Sequence, residues 1–252
     1  MSLANPDRIA VIADIHGNAD ALSAVLADIG DRAVDLIVNL GDHVSGPLVA
    51  AETMALIRAT PMVSIRGNHD RWMADLSPDE MGASDRAAFD DLSEEDIGWL
   101  RALPPAATLG DDIFACHATP QDDLTYWLQT VRPDGQVTTR DPVEVAARAV
   151  PPHGILLCGH THICGAVTLP DGRRIVNPGS VGLPAYDDTE PFPHVMEAGS
   201  PEARYALLTR TEAGWDVTFL AVPYDTTRMA RFARARGREE WATAIETGRL
   251  PR

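Results

Sequence analysis

Short apolar runs that break off into polar, glycine-containing turns recur along the first half of the chain. Arg8 to Ala13 is the first; Asp14 to Asn18 follows, and then Leu22, Val25, Leu26 and Ile29 recur at helical spacing until Gly30. This predicts strand, loop, helix. Asp35 to Leu40 predicts a second buried strand that ends at Gly41 and Asp42, and Pro47 to Ala59 a helix with proline near its first turn. Met62 to Ile65 predicts a third strand, ending at Arg66 and Gly67. From Arg71 to Pro105 the pattern turns helical, with Ser93 and Asp96 as a capping-box variant and Trp99, Leu100 and Leu103 as its apolar side.

Asp112 to Cys116 and Gly154 to Cys158 read as further strands, separated by a polar insertion from Thr119 to Pro152 that carries Tyr126 and Trp127. Ala166 to Leu169 and Arg173 to Val176 flank Asp171-Gly172, a hairpin signal. After an irregular stretch rich in Pro, Asp and Glu, Tyr205 to Thr209 and Trp215 to Val222 predict a second hairpin, and residues beyond Asp225 a helical tail, a solvated face or a dimer contact. Strands that alternate with helices and then pair as hairpins imply an α/β (α+β) protein with mixed sheets and helices outside. The expectation is one domain over 1–252, with helical cap insertions at about 71–105 and 119–152.

Composition narrows the function. A net charge of −16 and a pI near 4.7 oppose extended binding to nucleic-acid polymers or anionic membranes, which need a basic face. Met1 to Arg8 lacks the features of a secretory signal and no apolar stretch reaches the ~20 residues of a membrane span. A cytoplasmic location is therefore expected. Cys116, Cys158 and Cys164 form no C-x-x-C pair and read as small buried residues.

Chemistry enters where the strands end. Asp14, Asp42, Asn68, His117 and His160 each fall within a few residues after an apolar run, where α/β proteins build sites. Asp14 and His16 are two residues apart, as are His160 and His162, so each pair can point to one side of extended backbone. Two carboxylates, an amide oxygen and four imidazoles suit Mn, Fe, Zn, Ni or Co. Asp42 is the candidate to bridge two ions.

Asp14-Ile15-His16, Gly41-Asp42, Gly67-Asn68-His69-Asp70, His117 and Gly159-His160-Thr161-His162 occur in the order of the calcineurin-like metallophosphoesterase superfamily, which the chain resembles from Ile9 to about Gly182. The loop Asn177 to Gly182 is similar to the family's loop beyond its last metal motif. The resemblance implies a four-layer αββα sandwich of two mixed sheets. It also implies two divalent or trivalent transition-metal ions, manganese being favoured: Asp14, His16, Asp42 and His162 on one, and Asp42, Asn68, His117 and His160 on the other. A metal-bridging hydroxide would then attack phosphorus, while His69, oriented and kept protonated by Asp70, would protonate the leaving group.

Asn18, His43 and Arg66 beside these motifs are candidate substrate contacts, and Asp187 and Asp188 could sit near the mouth of the site. Gly41-Asp42 is followed by His43 to Pro47, without the Asp-Arg-Gly of the family's protein phosphatases; together with Gly-His-Thr-His this resembles the small bacterial phosphodiesterase and diadenosine-tetraphosphatase-like branch. Small phosphodiesters or nucleotides are the expected substrates. A phosphomonoesterase or protein phosphatase is the enzymatic alternative, and a non-catalytic scaffold of the same fold the other.

Overall fold

The computed structural model describes residues 6–148 and 151–252. Its centre is β1 (Arg8–Ile12), buried on both faces, which is why its sequence is a continuous apolar run instead of an alternation. It pairs in parallel with β2 (Leu36–Asn39), which pairs in parallel with β3 (Val63–Ser64). On its other edge, the long hairpin β13 (Ala203–Thr211) and β14 (Gly214–Val222) adds antiparallel strands, giving the order β14-β13-β1-β2-β3.

The second five-stranded sheet has the order β4 (Ala106–Leu109), β5 (Ile113–Cys116), β8 (Ile155–Leu157), β10 (Arg174–Asn177), β9 (Gly165–Thr168). Strands β5, β8 and β10 are parallel, while β4 and β9 flank them antiparallel. Ile9, Val11, Ala13, Val38 and Leu40 from the first sheet meet Ile113, Ala115, Ile155, Leu157 and Val176 from the second, so the sheets pack face to face around one apolar layer.

The opposite face of the first sheet, through Ala10, Ile12 and Tyr205, packs against α1 (Ala19–Gly30), α2 (Ala50–Ala59) and α5 (Glu94–Ala102). Helices α3 (Asn68–Asp75), α4 (Ala83–Phe89) and α5 realise the expected helical segment after residue 71, and Ser93 and Asp96 form the capping box at the start of α5. The sandwich is as expected, with helices on this outer face.

Over the second sheet the cover differs from expectation. The insertion at 119–152 is helical only at the short α6 (Pro142–Ala146); the rest is loop and the ribbon of β6 (Gln129–Val131) and β7 (Val137–Thr139), with residues 149 and 150 outside the described residues. Trp127, Leu128 and Val145 supply its apolar underside. The proline-rich stretch after Gly182 also carries a ribbon, β11 (Ala185–Asp188) with β12 (His194–Glu197).

The C-terminal helices α7 (Thr227–Ala235) and α8 (Glu239–Thr247) are not a detached tail. Met229, Ala233, Trp241 and Ile245 bury against Leu48 and Leu183 in loops and against Ala185 at the start of β11. No helix among the described residues is long and apolar enough to cross a membrane.

Candidate metal centre

The parallel strands deliver their following residues to one end of the sandwich. Asp14 and His16 follow β1, Asp42 follows β2, Asn68 opens α3 after β3, His117 follows β5, and His160 and His162 follow β8. All but His160 are at least nine-tenths buried. Six described non-glycine residues have positive φ, and five of them are Asp14, His16, Asp42, His160 and His162. Each such residue costs about 1–3 kcal/mol, and such strain clusters at functional sites.

Interlocked loops maintain these conformations. The Asp14 N–H donates to the Gly41 carbonyl, those of Ile15 and His16 to the Asp42 carbonyl, and that of Gly182 to the Asp14 carbonyl. At Gly67 an added Cβ would lie 2.1 Å from Asp42 Oδ1 and 2.6 Å from its nitrogen. Glycine is required there because the β2 and β3 loops touch backbone to carboxylate.

Asp14, His16 and His162 form one group whose ligand atoms lie within 4.8 Å of one another, and Asp42, His117 and His160 form a second. Asn68 joins the second, its Oδ1 2.9 Å from His117 Nε2. Asp42 Oδ2 lies 3.3 Å from His117 Nε2 and 3.9 Å from His16 Nε2, facing both groups.

The donor chemistry fits cations. His16 Nδ1 donates to the Ser45 carbonyl at 2.9 Å and His162 Nδ1 to the Leu183 carbonyl at 2.6 Å. Their Nε2 atoms then confront each other at 3.1 Å. Burial lowers the His16 pKa to about 4 and holds that of His162 well below its ordinary range, so two neutral rings aim lone pairs at the same space. A positive ion between them resolves that repulsion. Asp14 Oδ1, sealed in the same group, has no hydrogen-bond partner.

Protons occupy the ligand set when metal does not. Burial pushes Asp14 up to about 8, with the Asp42 charge adding to the effect. Burial would also raise Asp42, but the His117 and His69 charges outweigh it and hold that carboxyl well below its usual value. Burial opposes charge on His117, yet Asp42 and Asp14 raise it to about 10. His160 falls to about 4, first through burial and then through His117.

The expected partner of His69 is corrected. Asp70 is fully buried and accepts from the backbone N–H groups of Asp42, His43 and Gly67 and from His43 Nδ1, so its four bonds brace the loop that presents Asp42. His69 Nδ1 instead donates to Asp85 Oδ1 at 2.7 Å, and Ser45 Oγ donates to the same oxygen. Burial would lower the His69 pKa, but Asp42 and Asp85 raise it to about 9. Asp85 lies in the first turn of α4, where no motif marks it; its only sequence signal is an acid at a helix start.

The three candidate substrate contacts are also relocated. Asn18 caps α1 through the Ala21 N–H and donates to the Gly182 carbonyl and the Tyr224 hydroxyl. His43 is buried between Asp70 and Trp99. Arg66 lies outside the cavity lining. Proximity in sequence misled here because Asn18 and His43 are claimed by partners inside the fold, the helix start and Gly182 for one and Asp70 for the other.

A cavity of about 760 Å³ opens over the centre. His69, Trp72 and Trp241 line one side, Tyr126, Gln129 and Arg140 another, and Asp187, Asp188 and Glu190 also face it. Tyr126 lines the cavity, whereas its neighbour Trp127 packs in the core beneath.

A two-sheet sandwich that gathers two clusters of Asp and His at the carboxyl ends of its strands is the framework of a metal-dependent phosphoesterase. The family model for the calcineurin-like phosphoesterase superfamily domain matches residues 8–196, and the chain belongs to that superfamily. It is 30% identical over 190 residues to the uncharacterized protein MJ0912 of Methanocaldococcus jannaschii, covering 70% of this chain and 76% of that protein. The crystal structure of a metallophosphoesterase from Sphaerobacter thermophilus is similar with a TM-score of 0.72 and 27% identity, over 96% of this chain and 99% of that one. The hypothetical protein PH1004 from Pyrococcus horikoshii OT3 shares the fold with a TM-score of 0.73 and 22% identity, over 97% and 99% of the two chains.

Proposed function

We propose that this chain hydrolyses small phosphodiesters or nucleotides with two transition-metal ions held by Asp14, His16, Asp42 and His162 and by Asp42, Asn68, His117 and His160. The observation that carries the reading is the confrontation of His16 and His162 Nε2 at 3.1 Å with both Nδ1 atoms already committed. Ions bound there supply Lewis acidity toward phosphoryl oxygens and lower the pKa of water toward ~7.

The chain's own residues supply the rest. Asp42 Oδ1 accepts the His69 N–H while Oδ2 faces both ligand groups, which suits it to bridge. With His69 Nδ1 fixed on Asp85, Nε2 is the ring nitrogen free to give a proton to the departing ester oxygen. Asp85 and Ser45 orient that ring; Asp70 positions Asp42. A cavity of about 760 Å³ suits a small substrate, and the net charge of −16 disfavours nucleic-acid polymers. The corresponding setting is the cytoplasm, with manganese as the first metal to try.

The experiment is metal-stripped protein resupplied with Mn²⁺, assayed on bis-p-nitrophenyl phosphate beside p-nitrophenyl phosphate, with bound metal counted. Two ions per chain and faster diester turnover are expected. Preference for the monoester would move the assignment to a phosphomonoesterase, and absence of metal binding would leave a scaffold of this fold.

A further inference from the structure

The lining of the cavity contains a charge that the proposed chemistry does not use. Arg140, which follows β7, lines the cavity beside Tyr126 and Gln129. Its Nη2 donates to the Gln129 carbonyl at 2.8 Å and to the Tyr126 carbonyl at 3.4 Å, and its Nε has no hydrogen-bond partner. Among the described residues it forms no ion pair within 4.0 Å, and its charged neighbours Arg148 and Glu144 act in opposite senses. The other arginine lining the cavity, Arg238, is committed to Glu240 at 2.5 Å and to Trp241.

Carbonyls place a guanidinium but leave its charge uncompensated, and a half-buried cation in a polar cavity gains most from an oxyanion. Asp187, Asp188, Glu190 and Glu240 repel anions elsewhere in the cavity. An ester with a second anionic group would therefore be held in one orientation.

We propose that Arg140 binds a second oxyanion of the substrate, a carboxylate or a phosphate set apart from the ester phosphate that the metal centre takes. This rests on the phosphoesterase reading and names its substrate class: phosphoric esters that carry a further anion on the group not expelled. Arg140 touches no metal-ligand candidate through its recorded bonds. It anchors instead to Tyr126, whose ring lies 5.3 Å from that of His160.

The test measures calorimetric binding of methylphosphonate, of carboxyalkylphosphonates with one to five methylenes, and of the matching alkylenebisphosphonates to the Mn²⁺-loaded chain. Turnover of bis-p-nitrophenyl phosphate is followed in parallel. At least one chain length should bind roughly tenfold more tightly than methylphosphonate, as a charge-assisted hydrogen bond provides. The arm that shows the gain identifies the second anion as carboxylate or phosphate. Arg140→Gln should remove the gain, and Arg140→Lys should keep part of it, while both bind methylphosphonate and turn over the diester as before.

A gain absent at every length, or one that survives Arg140→Gln, overturns the proposal. Loss of methylphosphonate binding in Arg140→Gln would mark a damaged fold, and the wild-type series then decides alone. Failure of the phosphoesterase reading itself looks different: no diester turnover, whatever the phosphonates do.

Discussion

The floor and the walls of the cavity are built by different means. The floor is made of single residues at the ends of parallel strands, fixed by left-handed backbone and by hydrogen bonds between neighbouring loops. The walls come from the ribbon at 129–139, the ribbon at 185–197 and helix α8, segments distant in the chain that pack on one another, the ribbons through Val131, Val137 and Met196 and the helix on Ala185. Floor residues have almost no freedom, since a Cβ at Gly67 would collide with Asp42. Wall residues such as Gln136, Asp187 and Glu240 are partly or wholly exposed. Under the proposed function, reaction type would belong to the floor and substrate choice to the walls, and substitutions in the two regions should separate accordingly.

The largest effect should come from the floor. Asp42→Asn removes the one carboxylate facing both groups, and kcat/KM should fall by more than ~10³ with at least one ion lost from the chain, because several kcal/mol of charge stabilisation go with it. Activity and metal content within a few-fold of wild type would contradict the floor's assignment. Next in size, His69→Asn should reduce turnover by ~10² to 10⁴ while metal content stays.

Asp85 and Asp70 sharpen the contrast further. Asp85→Asn should cost about 10- to 100-fold in kcat with metal retained, and Asp70→Asn should instead loosen metal binding, since it braces the Asp42 loop. The reverse pattern, with Asp70→Asn acting on kcat alone, would restore Asp70 as the partner of His69.

Metal binding should also release protons. In the metal-free chain Asp14 is raised to about 8 and His117 to about 10, so both hold protons below those values, and a cation must displace them. Affinity should therefore rise with pH through 7 to 10, and calorimetry in two buffers of different ionisation enthalpy should show proton release at pH 7. His16 and His160, lowered to about 4, contribute no protons there. The smallest effect is expected at Asn18, a helix cap and loop tie: Asn18→Ala should lower stability by about 0.5–2 kcal/mol in a denaturant titration and leave the KM for a diester unchanged. A large KM change would return Asn18 to the substrate's side.

Much of the floor was legible in the chain because its signal is local. An apolar run followed by Asp, Asn or His after Gly needs only the rule that parallel strands present their carboxyl ends together, and Asp14, Asp42, Asn68, His117 and His160 all obey it. Strands β1, β2, β3, β5 and β8 and both hairpins followed from runs, spacings and Asp171-Gly172, whereas β4 was not foreseen and the two-sheet sandwich was implied by the family resemblance. The ribbon at 129–139 was missed because its strands are short, largely polar and supported by Met196 from elsewhere in the chain.

Sequence alone thus determined most strands, the ligand candidates and the end of the strands at which they gather, since each depends on a pattern a few residues long. Tertiary structure alone decided that Asp85 and not Asp70 holds His69, that Asn18 and His43 face inward, and that α8 brings Trp241 to within 6.0 Å of His16. Those pairings join residues from 16 to 225 positions apart, where the partner is chosen by how whole elements pack and no spacing along the chain records the choice.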